Sequence, residues 1–342
     1  MSHQITIKPS GHAYHAEEGE TVLESALREG FTLPYGCRNG ACGSCKGTIL
    51  EGSVDYGDYQ ESALSEEEKH AGRALFCCAL PLTDLTIECR EVGAARDIQI
   101  KTLPCRVQKM LRLGGDVMVL YLKLPAKERL QFLAGQYVDI LLKDQKRRSF
   151  SLANAPHNDE LLELHVRNVV GGAFTDYVFN KMQEKDILRF EGPLGTFFLR
   201  EDSDKPIIFV ASGTGFAPIK GIIEHAFHKG MTRDMTLYWG VRHRSEFYMP
   251  ELPEQWAREH PNFRFIPVLS EPQPADHWQG RTGLVHEAVL QDLPDLGAYQ
   301  VYAGGSPAMV EAAHRTFTVH GLPEDEFYSD AFVFSSHTTP KA

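Results

Sequence analysis

The stretch Tyr35-Gly-Cys-Arg-Asn-Gly-Ala-Cys-Gly-Ser-Cys45 decides how the first part of the chain folds. Its residues are mostly small, so the backbone can close into a tight loop. Before this loop, apolar residues recur at helical spacing from Thr21, a candidate N-cap that Glu24 completes as a capping box, and stop at Gly30. Strand-like alternation lies on both sides of this helix. We therefore predict a small β-rich domain over residues 1–95.

The cysteines of this domain have the spacing of an iron–sulfur site. Cys37, Cys42 and Cys45 form a C-x4-C-x2-C pattern, and Cys77 follows after 31 intervening residues. Two irons bridged by two sulfides need four thiolates, and the plant-type spacing takes three from one loop and the fourth from a distance. A structural zinc site is the weaker alternative, because zinc usually takes two short cysteine pairs. Cys78 competes with Cys77 for the fourth position.

Composition and charge limit the function further. A chain of 342 residues should hold two or three domains. Residues 1–95 carry 7 Lys/Arg and 15 Asp/Glu, a net charge of −8 out of −11 for the chain, which favours a basic protein partner over nucleic acid. No apolar run reaches the roughly 18 residues of a membrane span. The strand-like start lacks the pattern of a secretion signal, so we expect a cytoplasmic protein.

The rest of the chain changes pattern near residue 203. Strand-like runs at 105–111, 117–124, 137–142 and 161–166 predict an antiparallel β-barrel domain over residues 102–202. A continuous apolar strand at 207–211 then enters the turn Ser212-Gly-Thr-Gly-Phe-Ala-Pro218, followed by a helix from about Ile219 to His228. Later strands alternate with helices, which predicts a parallel α/β sheet in a domain over residues 203–342. The expected fold class is thus multidomain, with α+β, all-β and α/β parts.

Four motifs are suited to nucleotide cofactors. Arg148-Ser-Phe-Ser151 ends a strand, where an arginine can pair with a phosphate, a ring can stack on a flavin and a serine can reach a ring nitrogen. Gly171-Gly-Ala-Phe-Thr175 opens a helix and can seat a pyrophosphate, although a plain capped helix is compatible with the same residues. Glycine turns at 212–218 and 303–309 follow buried strands, as the ligand crevice of an α/β sheet requires.

Together these motifs resemble the flavin reductases of the ferredoxin–NADP⁺ reductase superfamily that carry an N-terminal plant-type ferredoxin domain. The resemblance covers essentially the whole chain and includes the stretches 134–138, 147–156, 192–197 and 327–332. Within that group the chain is most similar to the reductases of the CDP-6-deoxyglucoseen pathway, and nearly as similar to aromatic-ring dioxygenase and monooxygenase reductases. The resemblance implies a β-grasp ferredoxin domain, an FAD-binding barrel and a nicotinamide-binding α/β domain.

The resemblance also implies roles for individual residues. Ser151 would lie near N5 of the flavin, and Phe332 would stack on the opposite face of the ring and yield to nicotinamide as the second catalytic residue. The residues expected at the flavin nucleotide are Arg148, Ser149, Phe150, Ser151, His165, Val166, Arg167, Gly172 and Thr175. Those expected at the nicotinamide dinucleotide are Gly213, Thr214, Gly215, Pro218, Gly305, Ser306 and Met309.

One position departs from the resemblance. Many relatives have Cys-Gly where this chain has Gly304-Gly305, so the thiol that usually lies near the nicotinamide is absent. The choice between NADH and NADPH depends on residues after the second α/β strand. There Arg242 and Arg244 would either meet a 2′-phosphate or be solvated, and the resemblance favours NADH.

The expected function is electron transfer from NAD(P)H to FAD, then to the [2Fe–2S] cluster, then to a partner protein with a basic docking surface. The partner implied by the resemblance is a deoxysugar dehydrase, with an oxygenase as the alternative. A metal- and nucleotide-binding sensor without turnover is the alternative outside enzymes. The sequence does not indicate an oligomeric state.

Overall fold

The computed structural model describes residues 2–95, 98–143 and 146–333. Contacts divide the chain into two compact units, one within residues 2–98 together with 332 and 333, and the other within 99–331. In the described ranges no helix is both long enough and apolar enough to cross a membrane.

The first unit is a mixed sheet with a helix packed on it. Its strands are β1 (His3–Lys8), β2 (Ala13–Ala16), β3 (Lys46–Glu51), β4 (Val54–Asp55), β5 (Arg73–Leu75), β6 (Leu80–Pro81) and β7 (Leu85–Glu88). Its helices are α1 (Val22–Arg28) and α2 (Glu66–His70), and a 3-10 turn spans Gly93–Ala95. The main sheet has the order β2-β1-β7-β3-β5, in which β1 and β7 run parallel and the other neighbours antiparallel. Strands β4 and β6 form a separate pair.

Helix α1 begins where the sequence predicts. The Thr21 side chain accepts a hydrogen bond from the Glu24 backbone, and the Glu24 side chain accepts one from the Thr21 backbone. Val22, Leu23 and Ala26 of this helix are fully buried. The capping box therefore starts the helix, and burial of its apolar side holds it against the sheet.

The second unit begins with a six-stranded antiparallel sheet and one helix. Its strands are β8 (Lys101–Leu113), β9 (Val117–Lys123), β10 (Tyr137–Leu141), β11 (Arg147–Ser151), β12 (Leu162–Arg167) and β13 (Ile187–Leu194), and its helix is α3 (Ala173–Asn180). The order is β11-β10-β13-β8-β9-β12. The two outer strands meet through a bridge between Leu152 and Leu164 and through the Ala153 amide, which donates to the Glu163 carbonyl at 2.8 Å.

Strand β13 corrects the sequence analysis, which placed no strand at Ile187–Leu194. It lies in the sheet between β10 and β8. The pair Gly192-Pro193 looks like a turn in the sequence. In the fold Gly192 is needed for close packing, because a Cβ there would lie 2.7 Å from Val138 Cγ1.

A parallel sheet with helices forms the rest of the second unit. Its strands are β14 (Ile207–Ser212), β15 (Met235–Val241), β16 (Phe263–Leu269), β17 (Arg281–Thr282), β18 (Gln300–Gly305) and β19 (Phe327–Ala331). Its helices are α4 (Phe216–His228), α5 (Glu251–Glu259), α6 (Val285–Asp292) and α7 (Pro307–Val319). The strand order is β17-β16-β15-β14-β18-β19, and every neighbouring pair is parallel, as the sequence predicts.

Helix α4 begins three residues before the predicted start at Ile219. Pro218 then stands in the first turn of the helix. Proline is tolerated there because the first amides of a helix have no intrahelical acceptor. The helix therefore starts directly after the Gly213–Gly215 3-10 turn, with Phe216 fully buried.

The first unit gives a stability prediction at Gly47. A Cβ at this position would lie 2.3 Å from Cε2 of Phe76, which is fully buried and cannot move aside, and which precedes Cys77. We expect Gly47→Ala to destabilise this unit by about 1–3 kcal/mol, measured by thermal unfolding and by loss of the visible absorbance of the expected cluster. The matched control is Gly93→Ala, because a Cβ at Gly93 has no neighbour within 4 Å. Equal melting temperatures for the two variants would contradict the prediction.

Candidate functional site

The cysteine loop between α1 and β3 has little free space. Arg38, Gly40 and Gly43 all adopt positive φ angles, of 60°, 72° and 77°. A Cβ at Gly40 would lie 2.8 Å from both the Asp58 carbonyl oxygen and the Cys78 Sγ. Glycine is therefore required at residue 40 both for its backbone conformation and for the close approach.

The four predicted cluster ligands form two pairs of thiols. Cys37 is hydrogen-bonded to Cys42, and Cys45 to Cys77. The Cys37 amide also donates to Cys42 Sγ at 3.3 Å. The hydrogen bond from Cys37 lowers the pKa of Cys42, and the hydrogen bond from Cys45 lowers that of Cys77. Each pair thus contains one thiol that ionises readily, and the thiolate is the form that binds metal.

This donor set fits a cluster of two irons, since each iron of a [2Fe–2S] group takes two thiolates from the protein. Cys78 Sγ lies 3.6 Å from Cys77 Sγ. The partner of Cys45 is Cys77, so the geometry favours Cys77 as the fourth ligand.

Strand β11 carries the predicted flavin motif. It pairs with β10 so that Phe150 faces Val138 and Ser151 faces Tyr137 in the register. The Ser149 hydroxyl donates to the Asp139 carboxylate at 2.6 Å. The ring of Phe150 lies 5.4 Å from that of Phe174 on α3, which connects this strand to the predicted pyrophosphate turn. Arg148 is partly exposed, and its Nη1 donates to the Arg147 carbonyl at 2.7 Å.

Ser151, at the end of β11, is joined to the parallel sheet. Its hydroxyl donates to Asp330 Oδ2 at 2.7 Å, although the two residues are 179 positions apart. Burial raises the pKa of Asp330 to about 6, against the smaller opposing effect of this hydrogen bond. Sequence reasoning missed Asp330. The one available signal was a carboxylate within the mostly aromatic and small stretch Phe327-Tyr-Ser-Asp-Ala-Phe332.

Gly172 and Thr175 shape the turn before α3. Gly172 is the N-cap residue of this helix and has no side chain to cap it. The Thr175 hydroxyl donates to the carbonyls of Val169 and Gly172, each at 3.0 Å. A Cβ at Gly172 would lie 2.7 Å from Thr175 Oγ1. Thr175 therefore fixes the loop, and the free amides at the start of the helix are the groups that can bind an anion.

On strand β12 only one of the three predicted side chains remains able to reach a nucleotide. Val166 is buried in the core, and the His165 side chain is fully buried and hydrogen-bonded to Glu163 and Tyr248. A nucleotide could therefore meet these two residues only through their backbone. The third side chain, Arg167, lies beside the Gly213 turn. A Cβ at Gly213 would be only 2.6 Å from Arg167 Nη1.

Among the described residues, two side-chain nitrogens of Arg167 lack a hydrogen-bond acceptor. Its Nε lies 3.0 Å from Asp116 Oδ2 without hydrogen-bond geometry. Within the described part of the chain, its Nε and Nη2 are buried and have no hydrogen-bond partner. Buried donors of this kind are normally satisfied, so an anionic group bound beside the Gly213 turn would complete the site.

The two glycine turns of the parallel sheet lie side by side. Strands β14 and β18 are neighbours, with Ala211 paired to Gly304. A Cβ at Gly215 would lie 2.0 Å from the Gly304 carbonyl oxygen, and one at Gly305 would lie 2.2 Å from Ser212 Oγ. Both turns are at the carboxyl edge of the sheet, where the strand order reverses direction and α/β folds bind ligands.

The remaining predicted nicotinamide residues surround these turns. Ser306 is the N-cap of α7, and its Oγ accepts from the Met309 amide at 3.3 Å. The Ser306 amide donates to Ser212 Oγ at 2.9 Å, which joins the two turns. Thr214 and Pro218 are buried.

At position 304, where relatives are expected to have a cysteine, there is little room for a side chain. A Cβ on Gly304 would lie 2.8 Å from the Gly215 carbonyl oxygen, so the backbone of one turn would have to shift. The predicted catalytic Phe332 is partly buried and belongs to the first compact unit. Its role at the flavin stays a prediction.

The two arginines after β15 already have partners. Arg242 Nε donates to Glu246 Oε1 at 3.0 Å, and its amide donates to Glu246 Oε2 at 3.4 Å. Arg244 Nη1 donates to the Asp276 carbonyl at 3.2 Å. Both arginines are exposed, whereas the Glu246 side chain is mostly buried.

Three known families match this chain in succession. The 2Fe-2S iron-sulfur cluster binding domain matches residues 5–82, the oxidoreductase FAD-binding domain matches 104–199, and the oxidoreductase NAD-binding domain matches 209–315. These matches overturn the zinc alternative for the cysteine site.

Several proteins are similar to this chain over nearly its whole length. The CDP-6-deoxy-L-threo-D-glycero-4-hexulose-3-dehydrase reductase of Yersinia pestis is 42% identical over 97% of this chain and 99% of its own length. The reductase component of phenol 2-monooxygenase from a Pseudomonas strain is 36% identical, over 97% and 95%. The crystal structure of the Amycolatopsis cytochrome P450 reductase GcoB superposes with a TM-score of 0.78 at 35% identity, covering 96% of this chain and 98% of that one.

The close contact of the glycine turns gives a prediction for Gly215. Gly215→Ala would force the two turns apart, because its Cβ meets backbone atoms of Gly304 and Gly305. We expect kcat/KM for NADH-dependent flavin reduction to fall by about 100-fold or more, since misplacement on the order of 1 Å costs that much. Flavin and cluster absorbance should be retained. Gly115→Ala is the control, because its Cβ would meet nothing within 4 Å; wild-type turnover in the Gly215 variant would contradict the prediction.

Proposed function

The chain belongs to the iron–sulfur flavoprotein reductases of the ferredoxin–NADP⁺ reductase superfamily, and from this premise we propose how its residues serve electron transfer from NAD(P)H to a partner protein. It is an oxidoreductase whose cofactors are a [2Fe–2S] cluster, FAD and a nicotinamide dinucleotide. When bound, these groups supply the hydride and single-electron chemistry, and the protein supplies orientation and electrostatics.

The register of the second unit is the observation that carries the proposal. Ser151, the expected neighbour of the flavin ring, is hydrogen-bonded to Asp330 on β19. Asp330 pairs in register with Gly304, and Gly304 pairs with Ala211 at the end of β14. The flavin strand and both nicotinamide turns are thereby held at one edge of the parallel sheet. Reactants must be brought close and aligned for hydride transfer, and this arrangement supports that role for the edge.

We assign a positioning and proton-holding role to the pair Ser151 and Asp330. A carboxyl group with a pKa near 6 can hold or release a proton at neutral pH, and the Ser151 hydroxyl is the atom through which it would reach a flavin nitrogen. Arg167, with its unpartnered Nη2, would bind a phosphate beside the Gly213 turn. The amides that follow Gly172 at the start of α3 and the Arg148 guanidinium would bind the flavin diphosphate.

We propose three domains with the boundaries expected from the sequence. Each matched range lies inside one of the predicted domains, 1–95, 102–202 and 203–342. We infer that the first is a β-grasp ferredoxin domain. We also infer that the six antiparallel strands close into a barrel, which the bridge between Leu152 and Leu164 supports.

For the electron acceptor we propose a dehydrase acting on a deoxysugar nucleotide. The relatives named as reductases of such a dehydrase are 42% identical, against 36% and 35% for reductase components of aromatic oxygenases. An oxygenase is the second candidate, supported by those relatives. The net charge of −8 in residues 1–95 favours a basic docking surface on either partner, and we place the reaction in the cytoplasm.

The electron route is tested by removing the cluster. In Cys42→Ser, NADH should still reduce ferricyanide, which accepts electrons from a flavin directly. Reduction of cytochrome c, a single-electron acceptor, should be abolished if electrons leave through the cluster. Cys89→Ser, which changes a cysteine outside the two thiol pairs, should leave both activities unchanged. Cytochrome c reduction that survives loss of the cluster would contradict the route, and a wild-type flavin that NADH does not bleach would contradict the function.

We further propose that the chain prefers NADH because Arg242 is hydrogen-bonded to the Glu246 carboxylate. A carboxylate at this place suits the ribose 2′-hydroxyl of NADH and repels the 2′-phosphate of NADPH, whereas a free arginine binds that phosphate. Glu246 holds Arg242 through both of its oxygens. The wild-type protein should therefore have the higher kcat/KM with NADH.

Glu246→Gln tests this preference. Removing the carboxylate charge should raise kcat/KM for NADPH relative to NADH by about tenfold, which corresponds to about 1.4 kcal/mol. Glu254→Gln, an exposed glutamate on α5, is the matched control and should keep the wild-type ratio. A wild-type protein that uses NADPH as well as NADH would refute the preference.

A further inference from the structure

A buried network of charged and polar side chains connects strand β12 to helix α4 and to the segment after β15. His165 Nε2 lies 2.7 Å from Glu163 Oε1, and His165 Nδ1 lies 2.8 Å from the Tyr248 hydroxyl. Lys220 Nζ, on α4, lies 3.1 Å from Glu163 Oε2. We call Glu163, His165, Lys220 and Tyr248 the latch. All four residues are buried.

The latch has a defined arrangement of protons and charges. Burial lowers the pKa of His165, which leaves its ring neutral. Although burial alone would raise the pKa of Glu163, the hydrogen bond from His165 and the charge of Lys220 bring it down to about 2. The Glu163 carboxylate therefore accepts from His165 Nε2, and His165 Nδ1 accepts from the Tyr248 hydroxyl. Lys220 also donates to the Ala153 carbonyl at 3.1 Å.

One end of the latch supports the nicotinamide turn. The Tyr248 ring lies edge-on to Trp239 at 5.3 Å and to Phe216 at 6.2 Å. Phe216 and Trp239 stack at 4.1 Å, and Trp239 Nε1 donates to the Gly213 carbonyl at 3.0 Å. Phe216 directly follows Gly215. A movement of Tyr248 would thus pass through two packed rings to the backbone of the turn.

The other end fixes the turn relative to the flavin strands. Glu163 and His165 lie on β12, which also carries Arg167 beside Gly213. Helix α4 packs closely on the segment after β11, because a Cβ at Gly221 would lie 3.0 Å from the Asn154 carbonyl oxygen. Lys220, the neighbour of Gly221, reaches both that segment and β12.

A contribution to the stability of the fold does not by itself explain why these charged side chains are buried. Buried ion pairs often contribute little net stability, and apolar replacements of similar size can be neutral or stabilising. What the pair does provide is one specific geometry between two elements. We propose that the latch residues are positioning residues for hydride transfer, which set the distance between the flavin strands and the nicotinamide turn. This inference rests on the function proposed above.

The least disruptive test removes one hydroxyl. Tyr248→Phe should lower the rate of anaerobic flavin reduction at saturating NADH by about 10- to 100-fold, because misplacement on the order of 1 Å has that cost. The dissociation constant for NADH, the flavin content and the melting temperature should change little. Tyr238→Phe is the matched control: Tyr238 is equally buried, but its hydroxyl donates to Asp292 on α6 instead of the latch. Its flavin reduction rate should equal that of the wild type.

A second variant keeps the inference testable if Tyr248→Phe folds poorly. Lys220 also pairs with Glu224 on α4 at 3.0 Å, so the variant combines Glu163→Gln, Lys220→Met and Glu224→Gln and leaves no lone buried charge. The same loss of flavin reduction rate by NADH, with normal reduction by dithionite, supports the latch. Wild-type rates per bound flavin in both variants overturn it, and so does loss of FAD from both, since the residues would then serve folding. A wild-type flavin that dithionite reduces but NADH does not would instead refute the proposed function.

Discussion

The close approach of two backbone turns at the carboxyl edge of the parallel sheet is the constraint on which the second unit depends. Gly215 and Gly304 approach so closely that a Cβ on Gly215 would lie 2.0 Å from the Gly304 carbonyl. The contact requires β14 and β18 to be neighbours, and that neighbour relation in turn reverses the strand order at this point. A crevice at such a point has backbone amides on its walls and no side chains to fill it, as a dinucleotide requires.

Other features of the second unit follow from this constraint. Helix α4 must start directly after Gly215, and its buried first turn packs Phe216 against Trp239. The same helix places Lys220 against β12. On the opposite side of β18, strand β19 brings Asp330 into register with Gly304 and so to Ser151. The flavin strands are therefore attached to the sheet edge at two separate places.

The sequence predicted the features that local patterns specify. The capping box of α1 involves two residues three positions apart, and the C-x4-C-x2-C loop fits in nine residues, so both are visible without the fold. The continuous apolar run at 207–211 likewise predicted a strand in a parallel sheet. Strand β13 was missed because Gly192-Pro193 resembles a turn, and only the contact with Val138 explains the glycine.

Long-range partners could not be predicted in this way, and they decide what several site residues do. His165 was expected at the flavin nucleotide from the family resemblance. Its ring is instead hydrogen-bonded inside the protein to the hydroxyl of Tyr248, which lies 83 positions away. Asp330 is 179 positions from Ser151. Its role depends on its burial, which raises its pKa, and on the hydrogen bond from Ser151, and neither follows from the local sequence. A motif identifies which backbone segment meets a cofactor. The direction of each side chain depends on packing between segments, so motif residues divide into those that can contact the cofactor and those that hold the contacting segment in place.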